Sequence, residues 1–112
     1  MKKVEAIIRS SKFEDVKEAL EESGIRFFTF LEVKGHGMEK NDEITYRGVP
    51  YDSGYIPRLK LEVVVKDEQL NQVIDTISTT ARTGKIGDGK IIVTTVETFI
   101  RVRTGESAEA AL

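Results

Sequence analysis

An α+β sandwich, with one sheet carrying both helices on a single side, is the fold that the sequence predicts, and three observations predict it. Two stretches in the order strand, helix, strand follow one another. Both helices are amphipathic, and the strands alternate apolar and polar residues with a period of two. The connection between the two units is too long and too polar for an ordinary turn.

Val4 to Ile8 read as a short apolar strand, and Lys12 to Glu22 place Phe13, Val16, Ala19 and Leu20 on one helical face, which Gly24 closes. From Ile25 to Val33 the alternation Ile25, Phe27, Thr29, Leu31, Val33 has strand period, with Phe28 and Phe30 making the opposite face partly apolar. The pattern then returns. Leu59, Leu61, Val63 and Val65 form a strand; Leu70, Val73, Ile74, Ile77 and Ala81 follow at helical spacing; Lys90 to Val96 form another strand. Two such units in tandem imply a ferredoxin-like βαββαβ sandwich. A last strand is expected over Thr98 to Arg103, and the segment from residue 105 onward is a polar and small-residue tail expected to be mobile. The sheet face without helices carries apolar side chains on its second strand, worth roughly 1.5–3 kcal/mol each when buried. A closed homo-oligomer is therefore expected.

With 112 residues and 39% hydrophobic content, residues 1–112 form one domain with a modest core. Seventeen Lys and Arg against nineteen Asp and Glu give a formal charge of −2, which argues against nucleic acid as a partner. The absence of cysteine excludes disulfides, thiolate metal sites and a cysteine nucleophile. The opening MKKVEAIIRS has the pattern of neither a signal peptide nor a membrane span, so a soluble cytoplasmic protein is expected.

Residues 35–57, GHGMEKNDEITYRGVPYDSGYIP, make the anomalous connection. They read either as an unstructured insertion or as a binding loop, because Ile44, Tyr46, Val49, Tyr51, Tyr55 and Ile56 are costly to leave in water and useful against a partner. The segment TARTGKIGDGKI, residues 80–91, has phosphate-loop spacing from Gly84 through Gly89 and Lys90, but Ile91 stands where a triphosphate hydrolase needs Ser or Thr for magnesium. It reads as a phosphate clamp without the metal-activating hydroxyl, or, taken alone, equally as a glycine-rich turn into a strand. Arg101 and Arg103 flank Val102, so a strand there would point both guanidinium groups to one face, suited to a polyphosphate or to a charged edge. His36 is the single histidine, and no Ser/His/Asp or carboxylate pair can be assembled, so no enzyme is expected. A slow nucleotide hydrolase centred on Lys90, and a metal site made by His36 and Glu39, are the competing readings.

On EVKGHG, YRGVPY, TGKIGDGKI and RVRTGE the chain resembles the PII signal-transduction family over nearly its whole length. The resemblance implies a homotrimer with ATP or ADP in the clefts between subunits. Gly87, Asp88, Gly89 and Lys90 would cradle phosphates, Arg101 and Arg103 would bind them, Thr29 and Val64 would line the adenine pocket, and Gly35, His36, Gly37 and Met38 would lie where the long loop leaves the nucleotide. That loop would control a membrane transporter or a metabolic enzyme, bringing the protein to the membrane in the first case, and Tyr51 falls where some members are modified. The loop text GVPYDSGYIPR, with Pro50 directly before Tyr51 and glycine at 54, departs from the family's ammonium-channel regulators. That leaves as an alternative a divergent subgroup serving a non-nitrogen transporter or another enzyme without 2-oxoglutarate sensing. Three further positions depart from the family pattern. Glu39 replaces the glutamine that helps hold magnesium and 2-oxoglutarate, Arg58 replaces a lysine facing that metabolite, and Met38 replaces a basic residue. A carboxylate at 39 can still ligate magnesium but repels a dianion, so 2-oxoglutarate binding is expected to be weakened.

Overall fold

The computed structural model describes residues 1–36, 44–46, 49–51 and 55–107. Strand β1 spans Lys2–Ile8, and a single 3-10 turn at Ser10–Lys12 leads into helix α1, Phe13–Glu22. Strand β2 is Thr29–Gly35; β3 (Ile44–Tyr46) and β4 (Val49–Tyr51) make a separate hairpin; β5 is Ile56–Val65. A second 3-10 turn at Asp67–Gln69 opens helix α2, Leu70–Ala81, and β6 is Lys90–Thr95.

The four-stranded sheet has the order β2-β5-β1-β6 and is antiparallel throughout. That is the ferredoxin-like arrangement, because the two strand-helix-strand units interleave and each helix crosses back over the same side. The alternation that made the strands legible also builds the core. Val4, Ala6 and Ile8 of β1 and Leu61, Val63 and Val65 of β5 point to one face and meet Val16 and Leu20 of α1 and Val73, Ile77 and Ala81 of α2. Phe30, directly opposite Leu61, lies on that same face and packs its ring 4.5 Å from Phe13.

Three expectations need correction. Ile25–Phe28 are not strand: Gly24 adopts φ +92°, the chain drops Ile25 into the core, and β2 begins only at Thr29. The connection 35–57 is shorter than its text suggests, since β2 runs to Gly35 and β5 starts at Ile56, and it contains the β3–β4 hairpin paired Ile44↔Tyr51 and Tyr46↔Val49. The strand expected over Thr98–Arg103 does not form. Ile100 makes one isolated bridge with Ser107 and residues 102–104 turn.

The helix-free face is not uniformly apolar. Leu31 and Ile92 are somewhat under half exposed on it, but its centre is a square of charges: Lys3 Nζ lies 2.9 Å from Glu5 and 3.6 Å from Glu62, and Lys60 Nζ lies 3.2 Å from Glu62 and 3.8 Å from Glu5. Two cations and two anions cancel within the square. The hydrogen bond and charge of Lys3 hold Glu5 below the ordinary carboxylate range, and the same bond to Glu5 raises Lys3.

Candidate functional site

The loop between α2 and β6, residues 82–89, is organised around one carboxylate. Asp88 Oδ2 accepts the backbone N–H of Thr83 and of Gly84, each at 2.8 Å, and Oδ1 accepts the Thr83 hydroxyl and Arg9 Nε–H, the latter at 3.2 Å. The Thr83 hydroxyl in turn accepts the Lys85 N–H at 3.2 Å, while Arg9 Nη2 donates to the Ile86 carbonyl at 2.8 Å. The hydrogen bonds from Thr83, then that from Gly84 and that from Arg9, hold the Asp88 carboxyl far below its usual range. The next residue is pinned by a different device. Gly89 adopts φ +100°, and a Cβ there would sit 1.7 Å from the Ile7 carbonyl oxygen, so the loop backbone lies directly on the end of β1. Lys90, paired with Ile7, then begins β6 with its side chain exposed. Asp88, Gly89 and Lys90 line a shallow groove of about 290 Å³ whose apolar floor includes Ile8, Ile77 and Ile91.

A second and larger cleft, about 750 Å³, is lined by Phe27, Phe28, Thr29, Glu62, Val64 and Arg101 together with Lys3, Lys66 and Phe99. Phe27 is 79% exposed there. The cleft combines aromatic faces for a planar ring, a carboxylate for hydroxyl groups, and cations for phosphate. Arg101 is held by its own loop: its N–H donates to the Glu106 carbonyl at 2.9 Å, its carbonyl accepts the Gly105 N–H at 2.8 Å, and its Nη1 meets Glu106 Oε1 at 3.3 Å. Because residues 102–104 turn, the strand alternation that would set Arg101 and Arg103 side by side does not apply, and Arg103 is exposed on the turn.

The two recesses lie at opposite ends of the sheet. Lys3, Thr29, Glu62 and Val64 mark one end, where Thr29 pairs with Glu62 and Lys3 with Val64. Ile8, Gly35, Arg58 and Lys90 mark the other, where Gly35 pairs with Ile56 and Ile7 with Lys90. The five residue steps from Lys3 to Ile8 span roughly 17 Å of strand. One chain therefore gathers Thr29, Val64 and Arg101 at one end, and Gly35, His36, Gly87, Asp88, Gly89 and Lys90 at the other. His36 is exposed at the end of β2, and Arg58 donates from Nη1 to the Pro57 carbonyl at 2.9 Å. Gly37, Met38 and Glu39 lie outside the described residues, and Tyr51 ends β4. Among the described residues no group of three His, Asp or Glu could hold a metal ion, and no helix is long and apolar enough to cross a membrane.

Sequence reasoning missed Arg9 and Thr83 and the aromatic lining of the larger cleft. Thr83 had a signal, a hydroxyl residue followed by glycine a few positions before an aspartate, which is the pattern of a side-chain-closed turn. Arg9 had none, being 79 positions from its partner.

Comparison with known proteins agrees with the resemblance seen in the sequence. Residues 1–106 match the family described as nitrogen regulatory protein P-II. The chain is 51% identical to the nitrogen regulatory protein P-II of Pasteurella multocida (strain Pm70), with all of both chains covered. It is 50% identical, again over all of both chains, to the nitrogen regulatory protein GlnK and to the nitrogen regulatory protein P-II 1 of Escherichia coli (strain K12).

Proposed function

Because the chain belongs to the nitrogen regulatory protein P-II family, we propose that it is a signal-transduction protein that binds ATP or ADP between subunits of a homotrimer and passes the nucleotide state to a target through residues 35–57. The observation that carries this reading is the separation of the binding residues to opposite ends of the sheet. A nucleotide cannot use Lys90 and Arg101 of one copy together, but a neighbour presenting its Phe27–Thr29 and Arg101 end to the first copy's Gly87–Lys90 loop completes one cleft. The charge square supports the assembly, since a network that is neutral by itself can be covered without leaving an unpaired charge.

In that cleft the base lies against Phe27, Phe28, Thr29 and Val64, and the phosphates lie between the loop amides with Lys90 on one side and Arg101 and Arg103 on the other. His36, Gly37 and Met38 leave the phosphate end toward the long loop, so a change in phosphate number is felt where that loop begins. Magnesium, if it accompanies ATP, has Glu39 as its candidate ligand, and 2-oxoglutarate is disfavoured by that same carboxylate. Ile91 after Lys90 withholds the hydroxyl that a hydrolase uses, so the reading is a regulator and not an enzyme. The target is a transporter or a metabolic enzyme, the protein cytoplasmic or drawn to the membrane by such a transporter, and Tyr51 a candidate modification site.

Calorimetry with ADP and with ATP, paired with sedimentation, tests the reading. The expected result is trimer mass with one nucleotide site per chain, and an Arg101→Ala variant that binds ADP at least ten times more weakly, a loss of about 1.4 kcal/mol. A monomer, or a trimer indifferent to both nucleotides, would overturn it.

A further inference from the structure

Asp88 presents a contradiction at a phosphate site. It lies between the two glycines of the clamp, and its full negative charge faces the region where a polyphosphate would rest. The structure resolves this by directing both carboxylate oxygens back into the loop and setting a guanidinium against them. Arg9 does two things at once from the residue that follows β1: Nε–H donates to Asp88 Oδ1 at 3.2 Å and Nη2–H to the Ile86 carbonyl at 2.8 Å. The side chains of Arg9 and Asp88 are 21% and 24% exposed, so the pair is only partly wet.

We propose that Arg9 is a positioning residue for anion binding: its planar fork neutralises Asp88 and fixes the Ile86 carbonyl outward from the ligand, so that the loop offers N–H groups and no net negative charge to a phosphate. The proposal rests on the nucleotide reading above. The Thr83, Gly84 and Lys85 N–H groups are occupied inside the loop, so those from residue 86 onward are what it can offer a ligand. A peptide unit at 86–87 turned the wrong way would present a carbonyl oxygen there instead. Gly89 resting on Ile7 secures one end of that stretch and Arg9 the other, both from the same end of β1. Lysine would keep the charge but reach one acceptor at a time, whereas arginine meets both in one plane.

The test compares the unaltered trimer with R9M, R9K and T83V, reading ADP affinity by calorimetry and amide hydrogen exchange over residues 83–90 in ligand-free protein. We expect R9M to bind ADP at least tenfold more weakly, R9K to fall between it and the unaltered protein, and T83V to speed exchange at residues 83–85 while leaving the guanidinium in place. In R9M exchange rises across 83–88 and stays unchanged in the β1–β5 ladder. R9M binding ADP within twofold of the unaltered trimer, or R9K no better than R9M, overturns the proposal. An unaltered trimer that does not bind ADP overturns the nucleotide reading instead, and unchanged loop exchange in R9M would then reject the role of Arg9 independently.

Discussion

The loops at residues 83–90 and 101–106 are built from the same kinds of residue, a threonine followed by glycine and a carboxylate met by an arginine, yet they are held in opposite ways. In the first, the arginine comes from the far end of the sequence and the last glycine lies on β1, so the sheet dictates the shape. In the second, Arg101 and Glu106 belong to the same short turn, closed by Arg101 N–H to the Glu106 carbonyl and by Gly105 N–H to the Arg101 carbonyl. A loop anchored by distant groups keeps its form before any ligand arrives. A loop closed on itself can exchange an internal partner for an external one, and on the proposed nucleotide reading that partner is a phosphate taking the place of Glu106 on Arg101.

The sharpest way to break that contrast is to add one methyl group to each loop. Gly89→Ala drives a Cβ into the Ile7 carbonyl at a φ of +100° and is expected to cost about 3 kcal/mol or more and to abolish ADP binding. Gly105→Ala meets nothing within 4 Å, so its cost is only that of a non-glycine residue at φ +73°, about 1 kcal/mol. Thermal melts of the two variants should differ by about ten degrees; equal melting temperatures would erase the distinction.

Acid provides a reversible version of the same comparison. The folded-state carboxyl of Asp88 is depressed below its ordinary value of 3.8, chiefly by the Thr83 hydrogen bonds. Its contribution is therefore complete above that value and is lost as the pH falls below about 4 toward the folded one. The protection of the Thr83 and Gly84 amides, taken against the intrinsic exchange rate at each pH, should fall in that window ahead of the β-ladder, and an Asp88→Asn variant should show the reduced protection already at neutral pH. The smallest effect is expected from Glu106→Gln, whose exposed ion pair adds little, with a melting shift of about a degree and ADP affinity equal or slightly tighter.

What was legible in the sequence follows from the range over which each structure is decided. The alternation in β1 and β5 and the spacing Val73, Ile77, Ala81 report burial against the nearest layer, and those elements stand where the pattern put them. The glycine-rich turn through Gly87 and Gly89 into the strand at Lys90 was legible because a turn of that kind is local text. Ile25–Phe28 misled because an apolar run satisfies strand period even when its first member turns into the core. The run from Thr98 to Arg103 misled because the turn that ends it is decided by the Gly105 and Glu106 backbone, beyond the alternating residues. That Lys90 and Arg101 lie at opposite ends of the sheet is a matter of strand order, which no single stretch encodes.

That last separation has a genetic meaning. If each cleft draws its loop from one copy and its rim from the next, Lys90→Ala and Arg101→Ala are two different lesions in a shared structure. Alone, each would then give a trimer with every cleft spoiled. Co-expressed, they would form mixed rings in which one cleft joins the sound loop of one product to the sound rim of the other, so that two defective alleles would restore part of what neither retains.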